Sequence, residues 1–552
     1  MSDGLEASVT RLDGLTLGAA LRHTAQLHGE HEAIKSGERV LTFAQFDTAA
    51  DRLAEGLLAL GVCRGDHVAV WLNNSIEWAL TLCACAKIGA VLIPINTRYT
   101  PSEAGYILAQ SDAKALVMTR HLWKRDYLES LGEIAPGVAI ANGKTLDLPQ
   151  LPALRHLVFV GDGGPPASHR FEALLQRPPS GALAAAEAQV QPDDPLLICY
   201  TSGTTGKPKG AMHNHRVIKQ ATRVGLACGL QPGGRVLGHM PVYHVAGLYM
   251  GLVPALTLGA CFIVMPQWDA NEALALIERE RITMFGGIPT HFVDLVASSS
   301  VHQRDLSSLE IAWIGGSPVM QATFEGFMKT LGLKHLLSTY GMTENTISTT
   351  FNRLDDPVSI CCQNKARILG QCEVRIVDTA TCEPLPVGEI GEVWCRGETV
   401  MMGYYRNTQA TAETITPEGW LRTGDLGRFD EAGYLSITGR AKEMYKSGGT
   451  NVYPAEIEQH LARHPAIKIA AVVGVPDERL GEVGYAFVEL HPAAELSAAQ
   501  VVQHCRGVLA DYKIPRHISF VAEMPRTVTG KIPKGELYQR ALLLIAPARG
   551  AA

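Results

Sequence analysis

Between Tyr200 and Gly210 the chain reads Tyr-Thr-Ser-Gly-Thr-Thr-Gly-Lys-Pro-Lys-Gly, directly after the apolar run Leu196-Leu-Ile-Cys. Glycine lets backbone N–H groups approach a ligand closely. The hydroxyls of Thr201, Ser202, Thr204 and Thr205 can donate to phosphate oxygens, and Lys207 and Lys209 bring mobile positive charge. An ordinary surface loop rarely joins all three features to the end of an apolar strand, so the segment reads as an anion-binding turn. It is not a Walker P-loop, because only two residues separate Gly203 from Gly206 and Pro208 follows Lys207. A P-loop kinase or GTPase is therefore disfavoured.

The elements that must hold this turn alternate between strand and helix. A helix is expected from Asp47 to Leu60, with Leu53, Leu57 and Leu60 at helical spacing and Gly61 as its stop. His67–Leu72 reads as a strand, Ile76–Ile88 as a helix stopped by Gly89, and Val91–Ile95 as the next strand. This alternation argues for βαβ units and parallel sheets. Pro136 to Gln191, rich in Pro, Gly, Ala and polar residues, is expected to be a variable surface connection. Val245 to Pro266 carries no charge and has the length of a membrane span. Pro254 and Gly259 interrupt it, so it reads as a buried helix, a turn and the buried strand Cys261–Met265. Asp269-Ala-Asn-Glu272 has the pattern of a helix start.

With 552 residues the chain exceeds one ordinary core, and 46% hydrophobic against 19% charged residues marks it as globular. The net charge of −6 argues against a broad nucleic-acid surface. The twelve cysteines form no CxxC pair, which fits a reduced cytoplasmic protein better than a zinc or disulfide framework. The N-terminus lacks a basic segment followed by an apolar one, so no signal peptide is expected.

The 200–210 run resembles the phosphate loop of the adenylate-forming superfamily, which includes acyl-CoA synthetases, peptide-synthetase adenylation domains and firefly luciferase. Ordered motifs extend the likeness from about Leu41 to Leu537. The resemblance implies an α/β fold: a large N-terminal domain, residues 1–441, of parallel-sheet subdomains plus a small barrel-like part, and a small mobile α/β domain, residues 442–552. It implies ATP, Mg²⁺ and coenzyme A as partners of a small carboxylic acid. Thr201, Ser202, Gly203, Thr204, Thr205, Gly206, Lys207 and Lys209 would hold phosphates. Gly315, Gly316 and Ser317, in Ile311–Pro318, would let adenine lie against the backbone. In Thr339-Tyr-Gly-Met-Thr-Glu344, Tyr340 would stack on adenine beside Gly341 and Met342, Thr343 would donate to the α-phosphate, and Glu344 would hold Mg²⁺. Asp425 and Arg440 would grip the ribose. His244, in Met240–Gly247, would gate the carboxylate, with Gly286, Gly287, Gly315 and Thr339 lining the acyl pocket. Lys442 would be the hinge, Lys446, Gly448 and Gly449 the thioester-state loop, and Lys531 the catalytic lysine, with Thr201 and His244 also at the reacting centre. Ala366–Gly370 departs from the family's usual Gly-Ser/Thr-x-Gly turn.

The chemistry implied is carboxylate attack on the α-phosphate of ATP, giving acyl-AMP and pyrophosphate, then thiol attack by CoA. Both first-step reactants are anions, and Lys531 would supply the cation between them. Rotation about the hinge would exchange the lysine for the Gly448–Gly449 loop. The resemblance also implies Lys531 as a target of a lysine acetyltransferase, which would remove that charge; a homodimer is compatible with it. The residues after His244 hold no carboxylate, which disfavours an amino-acid substrate. Gly286, Gly287, Gly315 and Gly316 suggest a roomy slot and a medium- or long-chain fatty acid, with an aryl or cinnamate-type acid close behind. Rival readings are an adenylating enzyme loading a carrier protein, disfavoured because no carrier domain follows Leu537, and a non-catalytic nucleotide-binding regulator.

Overall fold

The computed structural model describes residues 9–139, 145–178, 180–201, 207–316, 319, 321–346, 348–363, 365–448, 450–526 and 532–545. Backbone contacts divide the chain into two units. The first comprises 1–318, 323–373 and 395–421; the second comprises 319–322, 374–394 and 422–552. Both are α/β with mixed sheets.

The first unit holds two sheets. In one, the strands run in the order Gly403–Tyr404, Lys209–Asn214, Pro195–Thr201, Val91–Pro94, His67–Trp71, Ala113–Thr119, His156–Val160 and His169–Arg170. Pairing is parallel from Pro195–Thr201 outward to His169–Arg170, and antiparallel where Lys209–Asn214 meets its two neighbours. In the other, Met284–Gly287 lies between Arg235–Gly238 and Ile311–Gly315, and His335–Tyr340 follows, all parallel. Side chains of parallel strands are covered on both faces, which is why these runs are apolar without alternation.

Local chemistry sets the helix ends. Ile76–Ile88 forms as its sequence indicates: Ser75 caps the Trp78 N–H at 3.1 Å, and Gly89 turns left-handed at φ +69°. The helix expected from Asp47 starts earlier, at Phe43. Thr42 and Gln45 form a reciprocal capping box there, and Phe43 and Phe46 are buried in its first turn. The uncharged stretch after His244 is largely buried as a short helical turn, a π-helical segment Leu248–Leu252, the helix Val253–Leu258 and the strand Cys261–Val264. Among the described residues no helix is long and apolar enough to cross a membrane.

One expectation fails outright. The 136–191 segment is not a mere surface connection. His156–Val160 pairs in parallel with Ala113–Thr119, and Leu146, Leu148, Leu151 and Leu154 are buried in the core. The strand is short and its flanks are rich in turn residues, so composition hid it; five residues with two buried faces are enough for a parallel strand.

In the second unit, Leu421–Phe429 and Leu435–Arg440 pair antiparallel. A separate sheet is built on the long antiparallel pair Ile467–Asp477 and Gly481–Leu490, with His517–Val521 added in parallel. Pro454 opens the helix Pro454–Leu461, whose Ile457 and Leu461 are fully buried against that sheet's core.

Candidate active site

The 200–210 turn connects two antiparallel strands. Tyr200 faces Gly210 and Thr201 faces Lys209, and the Thr201 hydroxyl donates to the Lys209 carbonyl at 3.4 Å. The return strand was not foreseen. Its first glycine is obligatory, because a Cβ on Gly210 would lie 2.6 Å from Ile198. Ser202, Gly203, Thr204, Thr205 and Gly206 lie outside the described residues. The two lysines that follow them each sit over an aromatic ring: Lys207 over Tyr106 at 5.3 Å, Lys209 over Tyr404 at 5.0 Å.

Tyr404 connects this hairpin to the next motif. Its strand pairs with Lys209–Asn214, and its hydroxyl donates to Glu344 Oε1 at 2.8 Å. Glu344 sits in the turn Thr343–Asn345 and is 8% exposed. The Met401 N–H fixes its backbone carbonyl at 2.9 Å. Asn345 braces the turn by donating to Thr349 and accepting from Thr399. Burial, followed by the neighbouring Glu344 charge, pushes the Tyr404 phenol up, so it stays a donor. Among the described residues no cation pairs with Glu344, and neither Lys207 nor Lys209 pairs with a carboxylate. The result is a buried carboxylate oriented by a neutral hydroxyl, with Lys209 against the same ring. Nothing local in the sequence singles out Tyr404; a Gly-Tyr-Tyr run carries no site signal until strands pair.

Gly315 and Tyr340 end neighbouring parallel strands, at the carboxyl edge where open α/β sheets bind ligands. Gly341 and Met342 are half-buried beyond it. Thr339 is buried, and its hydroxyl is committed to the Thr350 carbonyl at 2.9 Å, so only its methyl group faces Gly315. Gly316 turns left-handed at φ +91°; Ser317 is outside the described residues. His244 is half-buried, its ring 5.2 Å from that of Tyr243.

Among the described residues the four glycines Gly286, Gly287, Gly315 and Gly316 open no roomy slot. A Cβ on Gly286 would meet the Trp313 indole at 1.9 Å, and one on Gly287 would meet His291 at 2.5 Å. One on Gly315 would meet Thr339 at 2.9 Å, and one on Gly316 would meet Ile288 at 3.2 Å. Glycine here admits large neighbouring side chains. What remains between Gly238, Met240, Ala246, Met250, Gly286 and Trp313 is an apolar cavity of about 10 Å³, room for about one water.

The second unit carries the remaining candidates. Asp425 and Arg440 are directly opposed across their strand pair, with Arg440 Nε 3.2 Å from Asp425 Oδ1. The aspartate side chain is 7% exposed and the arginine 52%. Lys442 lies in the turn Ala441–Glu443. The next residue, Glu443, pairs with Lys534 at 2.6 Å, and Lys534 also reaches Glu458 at 2.9 Å. Sequence reading missed Lys534, whose role depends on bringing residues far apart in the chain together. Lys446 is exposed on the strand Tyr445–Ser447, and Gly448 follows in the left-handed region at φ +59°. Gly449 and Lys531 are outside the described residues.

The chain is similar to known proteins over nearly its whole length. The model of the AMP-binding enzyme family matches residues 21–405, and that of the AMP-binding enzyme C-terminal domain matches 456–531. A Rhodococcus jostii 3-[(3aS,4S,7aS)-7a-methyl-1,5-dioxo-octahydro-1H-inden-4-yl]propanoyl:CoA ligase is 37% identical over 95% of this chain and 98% of its own. A mitochondrial medium-chain acyl-CoA ligase, ACSF2, from Danio rerio is 34% identical over 96% of this chain and 89% of its own. Among solved structures, the anthranilate CoA ligase AuaEII in complex with anthranoyl-AMP superposes with a TM-score of 0.83 at 29% identity, covering 96% of this chain and 98% of that one.

Proposed function

Because the chain belongs to the AMP-binding enzyme family, the acyl-CoA ligases of the adenylate-forming superfamily, we propose that it is an AMP-forming carboxylate–CoA ligase for a medium-sized acid. The observation that carries this reading is Glu344: a buried carboxylate with no cationic partner among the described residues, held by Tyr404 beside Lys209. A buried charge is costly unless something compensates it. Its compensation would come from the ligand. The donor set fits magnesium, which takes one or two carboxylates and fills its other positions with phosphate oxygens and water. When bound, the ion would shield the leaving pyrophosphate.

The chain's own groups would do the rest. The Thr201–Lys209 hairpin would hold the phosphates, Tyr340 would cover the adenine, and Asp425 with Arg440 would take the ribose hydroxyls. The substrate carboxylate oxygen bonds to the α-phosphorus as the bond to pyrophosphate breaks, and Lys531 would neutralise the charge shared by both anions. The sulfur of CoA then bonds to the acyl carbonyl carbon and AMP leaves. A boundary at 441/442, with Lys442 as pivot, would let the 442–552 domain withdraw Lys531 and present Lys446, Gly448 and Gly449 for the second step. The medium-chain assignment draws support from the similarity to ACSF2. The Trp313 floor argues against a long unbranched chain in this conformation.

Pyrophosphate release with ATP, Mg²⁺ and a panel of carboxylic acids, with and without CoA, tests the reading. Acid-dependent release and CoA-dependent thioester are expected. No release with any acid would favour a nucleotide-binding regulator, and acyl-AMP without thioester would favour loading of a carrier protein. Lys442→Pro is expected to retain acyl-AMP formation and lose thioester formation. Equal survival of both half-reactions would remove Lys442 as the pivot.

A further inference from the structure

The strand Met284–Gly287 ends with two glycines that face opposite ways. Gly286 faces the apolar cavity closed by Trp313; Gly287 faces two imidazoles. His239, just beyond the parallel neighbour Arg235–Gly238, is 4% exposed. His291 lies in the first turn of the helix Pro289–Ala297. Their rings meet edge to face at 4.8 Å. Phe285 stacks on His239 at 4.8 Å, and Trp268 packs against both rings. The Trp268 N–H is already committed to Asp294 at 2.8 Å, so it cannot serve the histidines.

Hydrogen bonding fixes one tautomer. His239 Nδ1 lies 3.3 Å from the Leu237 carbonyl. A carbonyl can only accept, so Nδ1 carries the proton and Nε2 presents a bare lone pair. That Nε2 is buried and has no hydrogen-bond partner among the described residues, and the same holds for His291 Nδ1. The two atoms converge: the Cβ position of residue 287 lies 3.4 Å from the first and 2.5 Å from the second. Burial pushes His239 well below the usual imidazole range and His291 down to about 4, so both are neutral at pH 7. Neutral rings do not select a second carboxylate or an ammonium group. An acceptor beside a second group able to donate matches a hydroxyl, which can serve both.

We propose that His239 and His291 form a polar subsite at the carboxyl edge of the sheet for a hydroxyl group on the acyl part of the substrate. The inference rests on the ligase reading and refines it: the preferred acid carries a hydroxyl remote from its carboxylate. The apolar side of the strand end accepts little, and the polar side holds two hydrogen-bonding atoms without partners among the described residues. Desolvated polar groups discriminate strongly against a substrate that leaves them unpaired, whereas an apolar wall discriminates weakly. A keto oxygen cannot donate to His239 Nε2, so a matched oxo acid would gain less than the hydroxy acid.

The test uses the full chain and matched acids: octanoate, 7-hydroxyoctanoate and 7-oxooctanoate, and cinnamate with 4-hydroxycinnamate. In one series at least, the hydroxy acid is expected to show a KM about tenfold or more below its unsubstituted partner. His239→Leu is expected to abolish that difference. His239→Gln, which keeps an acceptor, is expected to restore part of it. As a readout independent of turnover, ¹⁵N-histidine NMR should show the His239 Nε2 resonance moving on addition of the hydroxy acid. Acids activated without a hydroxyl preference and without that shift would overturn the subsite. A shift and preferential binding of the hydroxy acid without pyrophosphate release would support the subsite and overturn the ligase reading alone.

Discussion

The charged groups at the candidate phosphate site and those around Arg440 and Lys534 are held in opposite ways. In the first unit Glu344 is oriented by the Tyr404 hydroxyl, and Lys207 and Lys209 rest on aromatic faces; among the described residues none of the three has an oppositely charged partner. In the second, Arg440 pairs with Asp425, and Lys534 bridges Glu443 and Glu458. Neutral supports hold a charge in place without cancelling it, which would suit groups proposed to meet phosphate and metal. Ion pairs cancel charge and fix geometry, which would suit a segment that sets the proposed hinge residue Lys442. Lys531 would be the exception in the second unit, a charge carried for the ligand.

Lys531→Ala tests that exception most sharply. Acyl-AMP formation is expected to fall about 100- to 1,000-fold, the range for loss of a transition-state charge contact, with thermal stability unchanged. Undiminished acyl-AMP would leave the comparison without its catalytic meaning.

Acid should act on the first unit. Burial holds His213 and His215 at about 4, against an ordinary value of 6.5. His215 Nδ1 accepts from the Leu17 N–H at 3.1 Å and so must stay unprotonated. The unfolded chain protonates these rings first as pH falls, so the folded state loses stability from pH 6.5 down toward 4 and is flat above. Each histidine accounts for about 3 kcal/mol at most, since a buried neutral ring costs the fold about 1.4 kcal/mol for every pH step across that window. Thermal melts over the same range check it, and His215→Asn should flatten part of the slope.

In the second unit, Lys534→Met leaves Glu443 and the half-buried Glu458 without their cation. A loss of up to about 3 kcal/mol is expected, the low end for breaking a buried pair. Lys209→Met, by contrast, should raise the KM for ATP with little change in stability. Equal destabilisation by the two substitutions would erase the distinction between the units. The smallest effect is expected from Tyr404→Phe. Glu344 loses one hydrogen bond of about 1.5 kcal/mol, read as roughly a tenfold higher Mg²⁺ requirement for acyl-AMP formation.

Much of the architecture could be read from local pattern. The Ile76–Ile88 helix and the buried stretch after His244 followed from apolar spacing and from the glycines that end them. The 156–160 strand did not, because its signal is five residues long and only the pairing with Ala113–Thr119 makes it a strand. The motif residues could be named in order, and their clustering was implied by resemblance. Tyr404, Lys534 and the His239–His291 pair could not be named, because each acts through a partner distant in the chain.

By itself the sequence determined the class of chemistry: ordered motifs fix which residue types occur in which order, and these suffice for the family. Only the tertiary structure decided the shape of the candidate acyl end. A glycine in a sequence reports a missing side chain and is silent about what fills the space. At Gly286 and Gly287 that space belongs to Trp313 and His291, which come from other elements of the sheet layer. Packing is close to solid density, so a missing side chain becomes a neighbour's room before it becomes a pocket.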